Sequence, residues 1–174
     1  MMNQCIQLFT QACKKVFKNL IGLEITPERP YLFDKNAVHE QDMSKEWDIS
    51  AVIGLAGDAR GAVVISMKKE LAFRLTGILT GKTHTDLDDD VRDAMGEIVN
   101  IITGNAKQGL ETVFKLVVSL PTIIKGDEHS ISWPGGGIHA QIICIPFTIF
   151  ENDEFTLSVS LDRNKAASFI NRAL

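Results

Sequence analysis

Three polar residues suited to chemistry and one glycine recur at intervals of three or four positions, and together they are called the polar stripe: Asp93, Glu97, Asn100 and Gly104. At about 100° per residue, this spacing places them on one narrow face of a helix. The carboxylates can pair with a basic group, and the Asn amide can both donate and accept hydrogen bonds. The pattern therefore indicates a surface that could bind a partner or order a water molecule.

Residues 86–109 must carry this stripe, and their pattern predicts one long helix. Apolar residues recur at helical spacing on the opposite side: Val91, Ala94, Met95, Ile98, Ile101 and Ile102. We expect Asp86 to cap the first turn. Asp88, Asp89 and Asp90 suit the positive end of the helix dipole.

Two glycines make this helix unusual, since Gly96 lies at the edge of the polar stripe and Gly104 lies within it. Each glycine costs about 1 kcal/mol relative to alanine in a helix interior. One explanation is that they thin the helix so that another surface can come close. The other is that the polar face is simply solvated and the glycines pack against a neighbour inside the molecule. Both explanations stay open at this point.

Other candidate sites are weaker. Asp93 and Glu97 could share a metal ion, but two carboxylates without a histidine or further acids make a poor dedicated site. The four histidines show no metal-ligand spacing, and three cysteines without a CxxC pair predict reduced thiols. The glycine-rich stretch 133–137 lacks the GKS/T of a phosphate-binding loop and predicts a hairpin connection. Asn105 lies on the apolar side, where we expect a buried structural amide.

The composition bounds the function. A chain of 174 residues with 45% apolar residues predicts a single globular domain, residues 1–174. The net charge of -4 and the absence of a basic cluster argue against nucleic-acid binding. No apolar run approaches the ~18 residues of a membrane span. The first residues also lack the pattern of a signal peptide, so we expect a cytoplasmic location and no membrane partner.

The remaining elements predict the fold class. Helices are expected at 2–20, 68–80 and 163–174, a hairpin at 47–67, and a second hairpin at 138–161 that turns at 152–153. A strand at 115–124 contains Pro121 as a bulge or an edge, and 23–46 is a connecting stretch, parts of which could be extended. Polar residues alternate along the last strand, so one sheet face should be wet. The prediction is α+β: an antiparallel sheet of five or six strands with the long helix and further helices packed against it.

The stripe residues also match a known pattern. Asp93-x-x-x-Glu97-x-x-Asn100, followed by Gly104-Asn105-Ala106, resembles the signature of the CheC/CheX/FliY family of chemotaxis phosphatases. The family motif ends in a proline some twenty residues later, where this chain has 119–122, the tetrapeptide SLPT. The single motif helix is most similar to the CheX-like branch. The resemblance covers most of the chain and is most specific over 86–126.

The resemblance implies a function. The substrate would be the phosphorylated aspartate of a CheY-like receiver domain, which brings its own Mg²⁺, so no cofactor or metal of this protein is expected. By resemblance Asn100 is the catalytic residue that positions the attacking water, and Glu97 is the residue that anchors the receiver. Asp93, Gly96 and Gly104 would contact the partner. The resemblance further implies that relatives can dimerise through sheet edges, so a homodimer is possible.

Two other functions stay open beside the phosphatase. A non-catalytic module of the same fold could bind a receiver or another signalling partner, although it would have no need for the amide of Asn100. A structural subunit could instead assemble through its sheet edge, which the apolar strand 143–149 would permit. The sequence names neither the response regulator nor the pathway.

Overall fold

The computed structural model describes residues 2–33, 47–126 and 141–163. Three α-helices occur there: α1 (Met2–Val16), α2 (Lys69–Thr80) and α3 (Asp89–Leu110). A π-helical turn, Phe17–Ile21, continues α1. These elements confirm the predicted helices at 2–20, 68–80 and 86–109. The helix expected at 163–174 and the glycine-rich stretch 133–137 lie outside the described residues.

In the described residues, eight strands form one antiparallel sheet. Their bounds are β1 (Ile25–Pro27), β2 (Tyr31–Phe33), β3 (Ile49–Gly57), β4 (Ala59–Met67), β5 (Leu116–Val118), β6 (Thr122–Lys125), β7 (Ile142–Ile149) and β8 (Asp153–Arg163). The order across the sheet is β1-β7-β8-β4-β3-β5, with β2 also paired to β7 and β6 also paired to β3. The α+β class is therefore confirmed. The predicted five or six strands correspond to the six positions across the sheet, and each outer position holds two short strands instead of one.

The break between β5 and β6 explains why one edge of the sheet has two short strands where the sequence predicted one. The sequence predicted a single strand at 115–124, whereas β5 ends at Val118 and β6 begins at Thr122, both paired to β3. Pro121 lies in the gap, because a residue without an N–H cannot continue the hydrogen-bonded ladder. The prediction of a bulge or edge at Pro121 is confirmed.

The helices cover one face of the sheet and bury a continuous apolar core. Alternate residues of the long strands point into this core, among them Ile53, Ile65 and Leu157, all of which are fully buried. The ring of Phe155 stacks between those of Phe17 and Phe147, at centroid distances of 4.8 and 5.0 Å. This stack joins the π-helical turn to the two strands β7 and β8.

The opposite face of the sheet is largely buried along β3, β4 and β8, and the prediction from the last strand that this face is wet was wrong. Thr156 and Ser160 of β8 are buried, as are Ser50 and Ser66 on the neighbouring strands. The hydroxyls of Ser50 and Ser66 form a hydrogen bond of 2.7 Å. Small hydroxyl side chains can be buried at low cost when they are hydrogen-bonded, so polar alternation did not mean solvent exposure here.

Candidate functional site

The N-cap of helix α3 is Asp88, and not the predicted Asp86. The Oδ1 atom of Asp88 accepts a hydrogen bond of 2.9 Å from the backbone N–H of Val91, which is the geometry of an N-cap. Asp86 lies two residues earlier and accepts hydrogen bonds from the backbone N–H of Leu87 and the ammonium of Lys125 instead. Asp86 therefore ties the start of the helix to β6.

His84 also holds the start of α3, a role that sequence reasoning missed. Its Nδ1 lies 2.7 Å from Oδ2 of Asp88, and its Nε2 lies 2.9 Å from Oγ1 of Thr80. The ring is buried although Asp88 is half exposed. His84 therefore connects the last turn of α2 to the N-cap of α3. The only sequence signal was the spacing of four residues between His84 and Asp88.

The remaining acids at this end of α3 form ion pairs. Asp89 pairs with Arg92, and Asp90 pairs with Lys82, each at 2.9 Å. Hydrogen bonds from Lys125 and from the backbone of Leu87 lower the pKa of the Asp86 carboxyl. The pKa of Asp88 is lowered by its hydrogen bonds with His84 and with the backbone N–H of Val91. The acidic start of the helix is thus engaged within the protein.

We expect Asp88 to make the free energy of unfolding depend on pH in the acidic range. Because its folded pKa lies below the ordinary value of 3.8, its contribution is present above that pH and is lost as the pH falls through the folded pKa. In Asp88→Asn the amide still caps the helix but cannot lose a charge on acidification. Denaturant unfolding at pH 7 and pH 3 should show a smaller acid-induced loss of stability for the variant than for the wild type. An equal loss in both proteins would contradict this assignment.

The polar stripe differs from the acidic start. Asp93, Glu97 and Asn100 are exposed, one turn after another along α3. Within the part of the chain that the structure describes, none of these three side chains has a hydrogen bond or an ion pair. The structure thus brings the predicted catalytic pair, Glu97 and Asn100, onto one open face together with Asp93.

The two glycines have different surroundings. A Cβ added at Gly96 would lie 3.3 Å from Cγ of Pro121, so this buried glycine packs against the break between β5 and β6. A Cβ added at Gly104 would meet no atom within 4 Å. Internal packing therefore explains Gly96, whereas nothing next to Gly104 in the described residues explains its lack of a side chain. A partner contact by either glycine stays a prediction.

A groove with a volume of about 840 Å³ borders the stripe. Its polar lining includes Asp93, Glu97 and Asn100, and its apolar lining comes from the π-helical turn, α2 and the sheet edge: Leu20, Leu79, Pro121 and Ile123. A concave surface with a few polar groups beside apolar walls is typical of a binding site. The groove and the stripe form one continuous surface.

The inner face of α3 is buried as predicted, with two differences. Val91, Met95 and Ile98 are buried in the core, but Ile101 is only partly buried. Asn105 is half-buried, so the expected fully buried amide was wrong. Thr103 is the buried polar residue instead, and its hydroxyl donates a hydrogen bond of 2.7 Å to the carbonyl of Val99.

Other kinds of site find no support in the described ranges. In residues 2–33, 47–126 and 141–163, no group of three His, Cys, Asp or Glu side chains could hold a metal ion. All three cysteines are free and buried, and burial raises the pKa of the Cys5 thiol to about 11. No helix of the described chain is long and apolar enough to cross a lipid bilayer.

Comparison with known proteins agrees with the resemblance seen in the sequence. The family model for chemotaxis phosphatase CheX matches residues 49–148, more than half of the chain. CheY-P phosphatase CheX from Thermotoga maritima is 28% identical over 112 residues, which cover 63% of this chain and 69% of that protein.

Solved structures show the same fold. The chain superimposes on a chemotaxis protein from Desulfovibrio vulgaris Hildenborough with a TM-score of 0.77 and 30% identity, covering 91% of this chain and 96% of that one. The CheX of a CheX–CheY–BeF₃–Mg²⁺ complex from Borrelia burgdorferi gives a TM-score of 0.70 at 21% identity, with coverages of 91% and 97%. The chain belongs to the CheX family of chemotaxis phosphatases.

Proposed function

We propose that this protein hydrolyses the aspartyl phosphate of a CheY-like receiver domain. The T. maritima relative carries the name CheY-P phosphatase, and the B. burgdorferi structure holds a CheX with CheY. The observation that carries the proposal is the polar stripe, in which Glu97 and Asn100 are exposed and make no hydrogen bond to the described residues. Polar side chains that are not engaged within their own protein are available to a partner.

The reaction needs little chemistry from this protein. An aspartyl phosphate is a reactive acyl phosphate, and the receiver supplies its own Mg²⁺ and basic side chain. Water attacks phosphorus, and the bond from phosphorus to the carboxylate oxygen breaks. Inorganic phosphate and one proton are released, and the free aspartate remains on the receiver. Because phosphoryl transfer depends mostly on positioning and electrostatics, an ordered water in line with the leaving oxygen is the missing part.

Asn100 suits the task of ordering that water. Its amide oxygen can accept a hydrogen bond from the water, and its NH₂ group can donate another to a phosphoryl oxygen. The amide is neutral, so it brings no negative charge to the phosphoryl group. Its exposed position on the rigid middle of α3 lets it enter a partner's site without a change in this fold.

Glu97 lies one turn before Asn100 on the same stripe and would fix the docking geometry. Its carboxylate can form an ion pair with the lysine of the receiver's phosphorylation site, and such a charge-assisted hydrogen bond sets orientation as well as affinity. Asp93, one turn further back, would contact the rim of the receiver's site. The three side chains would then contact the receiver in a row along the axis of α3.

The open space beside Gly104 leads to a prediction. A helical side chain covers the turn that precedes its own Cα, so a leucine at 104 would lie over the surface next to Asn100. We expect Gly104→Leu to weaken binding to a BeF₃⁻-activated receiver by at least about tenfold. The fold should survive, because a Cβ added at this position meets no atom of the described residues within 4 Å. Titration calorimetry measures the affinity.

The control for this prediction is Gly104→Ala. A single methyl group occupies little of the approach, and alanine favours the helix by up to about 1 kcal/mol relative to glycine. We therefore expect higher stability and only a small loss of affinity. Unchanged affinity of Gly104→Leu would show that the receiver does not approach α3 at this turn.

The function itself is tested by release of inorganic phosphate from a phosphorylated CheY-type receiver in Mg²⁺, with and without this protein. Acceleration above the receiver's own rate supports the proposal. If the protein binds activated receivers but accelerates none of them, it acts instead as a non-catalytic receiver-binding module. If the protein neither binds several activated receivers nor accelerates their dephosphorylation, the proposal is overturned.

A further inference from the structure

One residue in the turn between β5 and β6 is more exposed than any other large apolar side chain in the described residues. Leu120 is 87% exposed, and the next highest is Val117 at 68%. Single exposed apolar residues are common on protein surfaces and need no explanation by themselves. Leu120 differs because of how its backbone is held and where it lies.

The backbone on both sides of Leu120 is fixed. The hydroxyl of Ser119 accepts a hydrogen bond of 2.9 Å from the N–H of Gly54 and donates one of 2.8 Å to the carbonyl of Leu120 itself. The N–H of Ser119 also donates to the carbonyl of Gly54 at 2.9 Å. On the other side, Pro121 packs against Gly96 of α3. Leu120 is therefore presented to solvent by a rigid turn and not by a loose loop.

The same turn borders the proposed catalytic surface. Pro121, the next residue after Leu120, lines the groove together with Glu97 and Asn100. Gly96, against which Pro121 packs, precedes Glu97 in the sequence. A partner that approached Asn100 closely enough to be contacted by a short amide would cover this turn as well.

We infer that Leu120 is an apolar docking contact for the receiver domain, inserted into an apolar depression beside the receiver's phosphorylated aspartate. This inference rests on the proposed function, since it places the partner on the polar stripe. In this inference Leu120 contributes to the affinity for the receiver, and Asn100 contributes to the rate of hydrolysis. An apolar side chain on a rigid turn contributes to binding without the entropic cost of ordering a loop.

The test compares Leu120→Ser with Val117→Ser. Val117 is also exposed and apolar, but it follows the buried Leu116 in β5 and so points to the sheet face opposite the helices. Both variants should fold like the wild type, which the midpoint of thermal unfolding checks. The probe is a CheY-type receiver with BeF₃⁻ and Mg²⁺ for affinity, and the phosphorylated receiver for steady-state turnover.

We expect Leu120→Ser to raise both the Kd and the KM by about tenfold, the loss typical of a buried apolar anchor, and to leave kcat unchanged. Val117→Ser should match the wild type in all three constants. If the Kd of Leu120→Ser equals that of the wild type while turnover is normal, the docking contact is overturned and the phosphatase function stands. If the wild type neither binds nor dephosphorylates the receiver, both proposals fail.

An exposed leucine at a sheet edge could instead contact a second copy of the chain. If sedimentation shows that the wild type is a dimer and Leu120→Ser a monomer, with the receiver Kd unchanged, Leu120 belongs to a contact between copies. That result would overturn the inference, too.

Discussion

Asn100→Ala is expected to reduce the acceleration of phosphate release by about a hundredfold or more, in line with the loss of one positioned polar group at a reacting centre. Receiver binding should persist, because Glu97, the groove and the rest of α3 are unchanged. Since Asn100 is exposed and makes no hydrogen bond to the described residues, the variant should fold with wild-type stability. Phosphate release at saturating phosphorylated receiver measures the effect on kcat.

A matched control lies on the same helix. Gln108 is also an exposed amide on α3, but it lies eight residues after Asn100, about 12 Å further along the helix axis. Gln108→Ala should therefore retain full activity. Asn100→Asp keeps the size of the side chain but adds a negative charge next to the phosphoryl group, so it should be as inactive as Asn100→Ala. Normal turnover by Asn100→Ala would show that this amide does not position the water.

The apolar and polar periodicities predicted both faces of α3 correctly, because the inner face had to be buried and the stripe did not. They could not tell which aspartate caps the helix. Asp86 and Asp88 are both suitable capping residues, and Asp88 takes the role because His84 binds its second oxygen. That contact joins two helices and arises only when the chain has folded.

The sheet was harder to predict for a related reason. β1 and β2 have three residues each and lie in a stretch with Pro27 and Pro30, which favours a loop in any local reading. They exist because β7 offers them an edge, since Pro27 pairs with Phe147 and needs no N–H on its outer side. Local propensity carries no information about such a partner.

The sequence raised the question of why α3 contains two glycines but could not answer it. Gly96 and Gly104 have the same residue type, and one lies at the edge of the polar stripe and the other within it, so one explanation seemed to apply to both. The structure separates them, because Pro121 fills the space next to Gly96 and nothing described fills the space next to Gly104. The distinction depends on the turn between β5 and β6, which lies some twenty residues away in the chain.

Phe155→Ala is expected to be the most destabilising single substitution considered, at about 3–5 kcal/mol. The ring is fully buried and stacks on those of Phe17 and Phe147, with interplanar angles of 7° and 11°. Its removal leaves a cavity between the π-helical turn and the sheet. That loss is large against a typical total stability of about 5–15 kcal/mol. Urea unfolding measures it.

Two variants control for the chemistry of the change. Phe155→Leu keeps most of the apolar volume but loses the ring stack, so it should cost clearly less than alanine. Phe150→Ala removes a phenyl ring that is partly exposed and that the guanidinium of Arg74 covers at 3.8 Å, which is worth about 0.5–1 kcal/mol. A loss for Phe155→Ala no larger than that for Phe150→Ala would contradict the role of the stack.

The same variant separates stability from catalysis. Phe155 lies on β8 and does not line the groove, so the folded molecules of Phe155→Ala should retain the wild-type kcat. Its activity should then follow the folded fraction, close to normal at low temperature and lost as the protein unfolds. Asn100→Ala should behave in the opposite way, folded at every temperature where the wild type is folded and inactive at all of them. A low kcat for Phe155→Ala under fully folding conditions would mean that packing of the core around the stack sets the position of α3 in the active protein.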